Sequence, residues 1–105
     1  MSEQPVAGQY VAYTLYHADP AWRRLPVEER VTGKEAFAEA VESWSERFTH
    51  LRAYSTVGVR PDCDFFLWKI TERYLDLEEL GAELNGTPLA GWLSTPYSYL
   101  ATTKA

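Results

Sequence analysis

Cysteine is almost missing from this sequence: Cys63 stands alone among 105 residues. A lone cysteine excludes an internal disulfide and every zinc or iron–sulfur pattern built on several thiolates. Histidine is nearly as scarce, with only His17 and His50, and no metal site is read from the residues. No apolar run approaches the ~20 residues of a membrane-spanning helix, so no membrane contact is expected. Positive charge is in deficit, with 10 Lys and Arg against 15 Asp and Glu and a formal net charge of −5. The basic residues are scattered apart from Arg23-Arg24, which leaves no stripe to follow a phosphate backbone and excludes nucleic acid as a partner. Internal repeats and low-complexity segments are lacking. An unpaired cysteine without a leader segment predicts a reducing, cytoplasmic setting. Asn85-Gly86-Thr87 matches a glycosylation acceptor, but in such a setting it reads as a turn.

What remains is core-forming. The residues are 46% hydrophobic and 14% aromatic, and the length suits one domain over 1–105 that buries roughly 65% of its unfolded surface. Residues 1–8 read as a loose lead-in. Residues 9–17, rich in Tyr and Val, predict a strand. Asp19 caps a short helical turn with Pro20 at its first position, and Pro26 restarts the helix at once in a new direction. Val27, Val31, Phe37, Val41, Trp44 and Phe48 recur at helical spacing, with Glu35, Glu39, Glu42 and Glu46 on other faces, which predicts a long helix to about Arg47. Gly33 inside it marks a close backbone approach. Strands follow at 50–59 and 63–71, joined by a turn on Pro61-Asp62. Asp76 with Glu79 forms a capping pattern for a second helix carrying Leu77, Leu80 and Leu84, which Asn85-Gly86 ends. Thr87-Pro88 opens one more helical turn, and 95–104 is a last strand.

The order βαββαβ is the ferredoxin-like α+β plan. Its strands are apolar on both faces: Tyr10, Ala12, Thr14 and Tyr16 oppose Val11, Tyr13, Leu15 and His17, and Phe65 and Leu67 oppose Phe66, Trp68 and Ile70. Two helices cover one face only. The other face calls for a second layer, and in a short chain a homodimer packed sheet to sheet supplies it.

Three stretches carry a resemblance to a known family. Trp22-Arg23-Arg24-Leu25-Pro26-Val27-Glu28-Glu29-Arg30 is similar to the W-x-x-L-P-x-E-E-R entry to the long helix of the chlorite dismutase family, which includes the coprohaem decarboxylases. Asp64-Phe65-Phe66-Leu67-Trp68 resembles its D-F-x-x-W strand, and Pro96-Tyr97-Ser98-Tyr99-Leu100 resembles the aromatic last strand of a half. The likeness extends from Tyr10 onward. It implies the dimeric α+β barrel type of fold, haem or coprohaem as cofactor, and oxidoreductase chemistry on peroxide or chlorite. Family chains usually join two ferredoxin-like halves, of which the second binds haem through a histidine on the long helix. Here the corresponding positions, Phe37 to Ala40, hold no histidine, and no distal arginine or glutamine is placed. The resemblance thus points to the haem-free half, pairing with itself, with a haem-bearing chain, or in a larger ring.

No catalytic residue is assigned. His17, at the end of the first strand, and His50, before the second, are candidate haem ligands, although a polar residue at an element end is the plainer reading. Arg60 is a candidate anchor for a propionate; the plainer reading pairs it with Asp62 or Asp64. Tyr54, Trp68, Tyr97 and Tyr99 line a pocket or, more simply, fill an interface between sheets. Cys63 reads as an inert buried hydrophobe. Glu28 and Glu29 point about 100° apart on the helix and read as a solvated first turn. An alternative function is a cofactor-free small-molecule enzyme or binding protein of the same barrel type, which would gather Trp68, His17 and an asparagine; the chain has one, Asn85.

Overall fold

Two prolines set the entry to the long helix. In the computed structural model, which describes residues 8–103, strand β1 (Tyr10–Ala18) runs into a 3-10 turn, Pro20–Arg24. The Asp19 carboxylate caps this turn by accepting the Ala21 N–H at 2.8 Å. Leu25 is extended, as a residue before proline must be, and Pro26 stands as N-cap of helix α1 (Val27–Trp44). A 3-10 turn, Ser45–Arg47, carries the helix to its expected end. Strands β2 (His50–Ser55) and β3 (Phe65–Thr71) follow, then helix α2 (Tyr74–Asn85), a 3-10 turn at Pro88–Trp92 and strand β4 (Leu93–Thr102). Apart from Gly8, the expected lead-in over 1–8 lies outside the described residues.

The strands form one antiparallel sheet in the order β2-β3-β1-β4. This is the ferredoxin-like α+β arrangement expected from the order of elements. Register assigns the faces. Tyr16 pairs with Phe65, Thr14 with Leu67 and Ala12 with Lys69. Phe37 of α1 packs edge-on against both Tyr16 and Phe65, so this row lies beneath the helices. Phe37, Trp44, Leu51, Leu67, Leu80 and Leu84 form the centre of the core there. The alternate row, with Tyr13 opposite Trp68 and Leu15 opposite Phe66, faces away from the helices.

Several boundaries differ from expectation. β2 stops at Ser55, because Thr56 turns the chain: its carbonyl accepts the N–H groups of Val59 and Arg60, and its hydroxyl donates to the Cys63 carbonyl at 2.8 Å. Gly58 supplies the positive φ of 82° that the turn requires. Cys63 is buried in this loop, before β3 begins. α2 starts at Tyr74, and Asp76 lies inside its first turn, buried, where it accepts from the Thr71 hydroxyl at 2.9 Å and Arg73 at 3.0 Å. Val27 and Val31 fall outside the buried stripe of α1, at 60% and 43% exposure. Gly33 is buried beneath Leu89, yet a Cβ there would meet Leu89 only at an ordinary 3.9 Å. β4 has a bulge: Leu15 pairs with Tyr97 and His17 with Ser94, so Thr95 and Pro96 share the place opposite Tyr16. Proline fits such a site, where no ladder N–H is needed.

Candidate functional site

Between α1 and β2 the sheet and helices do not close. Phe37 and Trp44 anchor α1 over the centre of the sheet, whereas Ala38 on the helix and Ala53 and Ser55 on the strand are too small to fill the remaining gap. A cavity of about 1050 Å³ results, open along the β2 edge. Its walls are Phe37, Val41, Leu51, Phe65, Leu89 and Leu93. Trp22, Arg23 and Lys34 stand at one end, and Glu42 and Ser45 lie further along α1. Trp22 carries the Lys34 ammonium 5.9 Å and the Arg30 guanidinium 6.0 Å from its ring centre, which holds positive charge at this end.

The residues singled out in the sequence are dispersed. His17 faces Asp64, with Nδ1 3.4 Å from Oδ2, an ion pair when the imidazole is protonated; the same oxygen accepts the Ala18 N–H at 2.7 Å. His50 is buried on the open sheet face with its ring 4.2 Å from that of Trp68. Neither histidine lines the cavity. Arg60 reaches over that face from the β2–β3 loop, its guanidinium 5.0 Å from the Tyr97 ring centre and paired with Asp62 at 2.9 and 2.6 Å. That hydrogen bonding lowers the Asp62 pKa and raises that of Arg60. Tyr54 stacks on Phe66, and Tyr13 stacks on Trp68 with ring centres 5.8 Å apart. Tyr97 and Tyr99 stack on each other on the exposed edge strand. The Trp68 indole N–H is buried with no hydrogen-bond partner among the described residues. Trp68, His17 and Asn85 do not meet in the cavity, so the arrangement a cofactor-free oxygenase would gather is not assembled there. Among the described residues no cluster of three or more His, Cys, Asp or Glu forms a metal site, and no helix is long and apolar enough to cross a membrane.

Two buried ionisable groups on the helix side escaped the sequence reading. Burial pushes the Tyr16 phenol up to about 12 and the Lys69 ammonium down to about 8. Lys69 donates to the Thr14 hydroxyl at 2.9 Å. The cationic end of the cavity was missed as well; its one sequence signal was the adjacent pair Arg23-Arg24.

A helix-backed sheet with an aromatic far face and a cleft along one edge defines a ferredoxin-like α+β domain. A family model described as chlorite dismutase matches residues 22–105, beginning at the tryptophan of the W-x-x-L-P-x-E-E-R stretch. The chain belongs to the chlorite dismutase family. Its backbone is similar to a mutant chlorite dismutase from Candidatus Nitrospira defluvii, with a TM-score of 0.88 and 22% identity over 95% of this chain and 42% of that one. A second mutant of that enzyme, in complex with cyanide, matches with a TM-score of 0.86 and 21% identity over 100% of this chain and 45% of that one. A structure described as a novel heme-binding protein from Thermus thermophilus matches with a TM-score of 0.78 and 22% identity over 92% and 40%. The chain therefore spans less than half the length of these structures, and the likeness carries the fold.

The family raises the question of whether this cavity fits haem. The cavity is roomy, but α1 turns Phe37, Ala38, Val41 and Glu42 toward it, and neither His17, His50 nor Cys63 lines it. The lining holds no histidine, cysteine, methionine or tyrosine, so the residues present do not fit a haem iron there through its usual axial side chains.

Proposed function

We propose that this domain is a haem-free half of a chlorite dismutase-type barrel, which pairs through its open sheet face with a second ferredoxin-like unit. The simplest second unit is another copy of this chain; a haem-bearing chain of the family is the other candidate, and haem chemistry would then belong to that chain. The observation that carries the reading is the α1 surface over the cavity, where Phe37, Ala38, Val41 and Glu42 follow the cationic Lys34 and no histidine stands. The pairing is supported by the aromatic layer of Tyr13, Tyr54, Phe66 and Trp68, and by the Trp68 indole N–H, which finds no acceptor among the described residues.

Titration with haem and with coprohaem, followed by the Soret band, tests the first part; chromatography with light scattering tests the second. A flat titration on a dimer is expected. A saturable red-shifted band that disappears in His17→Ala or His50→Ala overturns the haem-free reading, and a monomer at micromolar concentration overturns self-pairing.

A further inference from the structure

We infer that the cavity between α1 and β2 is a binding site for a single-headed apolar carboxylate, a fatty-acid-like molecule lying along α1 with its acid group at the Arg23 and Lys34 end. Deep in the cavity the walls are Phe37, Leu51 and Phe65, surfaces that reward an apolar occupant by removing it from water. From Lys34 to Ser45 the helix rises about 16 Å, which suits an extended medium-length acyl chain. Charge sets the direction. Arg23 and Lys34 have no carboxylate partner among the described residues, and Lys34 is held over Trp22 at the cavity mouth. Asp64, the nearest acid on the strand side, is engaged by the Ala18 N–H and faces His17. Glu42 borders the opposite end, two turns along α1, and repels a second acid group; Arg52 on β2, the remaining cation of the lining, is already engaged in an interaction of its own. One acid group is therefore favoured over two. Width comes from Ala38, Ala53 and Ser55, all solvent-exposed positions where larger side chains would be tolerated by the fold but would close the cavity.

This inference rests on the cavity being free of ligated iron. The full chain is titrated calorimetrically with laurate below its micelle concentration, with dodecanol and dodecyltrimethylammonium as headgroup controls. Saturable laurate binding at about one per chain is expected, abolished by Ala53→Trp or by Ala38→Trp, which obstruct the cavity from opposite walls. Arg23→Glu and Lys34→Glu are each expected to weaken laurate about fivefold, the effect of an exposed ion pair, and to leave dodecanol unchanged. Equal affinity for all three headgroups, or laurate binding that survives both tryptophan substitutions, overturns the site. So does absence of laurate binding. A flat haem titration beside failed laurate binding sinks this inference alone. Saturable laurate binding beside a ligated Soret band that laurate leaves unchanged keeps this site and sinks the haem-free reading instead; a ligated Soret band that laurate displaces sinks both.

Discussion

Lys69 enters the helix-covered side of the sheet from β3, between Ala12 and Leu51 in the strand register. At 8% exposure it has the Thr14 hydroxyl as partner and no carboxylate among the described residues. Burial depresses its pKa to about 8 from the ordinary 10.5 of a lysine. In the unfolded chain the amine holds its proton up to that ordinary value, so between these two pH values the unfolded state binds more protons than the folded one. Stability contributed by Lys69 therefore rises with pH across that window and is flat below it. A gap of this size corresponds to on the order of 3 kcal/mol. Urea unfolding of Lys69→Met should show a higher midpoint than the parent at pH 7 and a loss of the rise between pH 8 and 10; an unchanged slope would mean that the ammonium is solvated in the folded state. Tyr16 lies on the same side of the sheet with its phenol pushed up to about 12 and stays protonated throughout this range.

Helices and strands show where local signals prevailed and where packing overrode them. The break at Asp19-Pro20 and Leu25-Pro26 was legible because a proline without an N–H and an aspartate able to accept one have few other uses. β2 was read four residues too long because Val57 and Val59 favour strands. They sit at 71% and 81% exposure with no face to pack on, and the Gly58 turn prevails. Asp76 was read as a cap, but its carboxylate bonds backwards to Thr71 and Arg73 and ties the end of β3 to the start of α2. Asp76→Ala is expected to cost roughly 1–3 kcal/mol by leaving the buried Thr71 hydroxyl without that acceptor. Chemical denaturation measures it, and a change under about 0.5 kcal/mol, the scale of surface substitutions, would sink this account. The cavity was not legible at all, because it depends on small residues of α1 and β2 facing one another across the fold, which no spacing within either segment reveals. The two faces of the sheet were legible, because alternation along a strand is fixed by its geometry.

At the scale of the molecule, one sheet face is covered by its own helices and the other carries a layer of stacked rings. Ile70 is fully buried and Leu15 is at 7% exposure on that second face, in the same row as the stacked Tyr13 and Trp68 and the Phe66 ring. Trp68→Asp at its centre places a charge where a second unit would have to pack. Light scattering is expected to show a monomer with an unchanged far-ultraviolet circular dichroism spectrum; a dimer of normal size would place the contact elsewhere.

β4 closes the sheet at one margin, ten residues from Leu93 to Thr102 without a single charged side chain. Its outward row of amides and carbonyls is interrupted for certain at one place, Pro96. A margin of this kind, uncovered among the described residues, can accept an extended chain, including a neighbour's β4. The same strand that completes this domain is thus also a template on which further copies could stack edge to edge into ribbons, a process that a higher protein concentration favours.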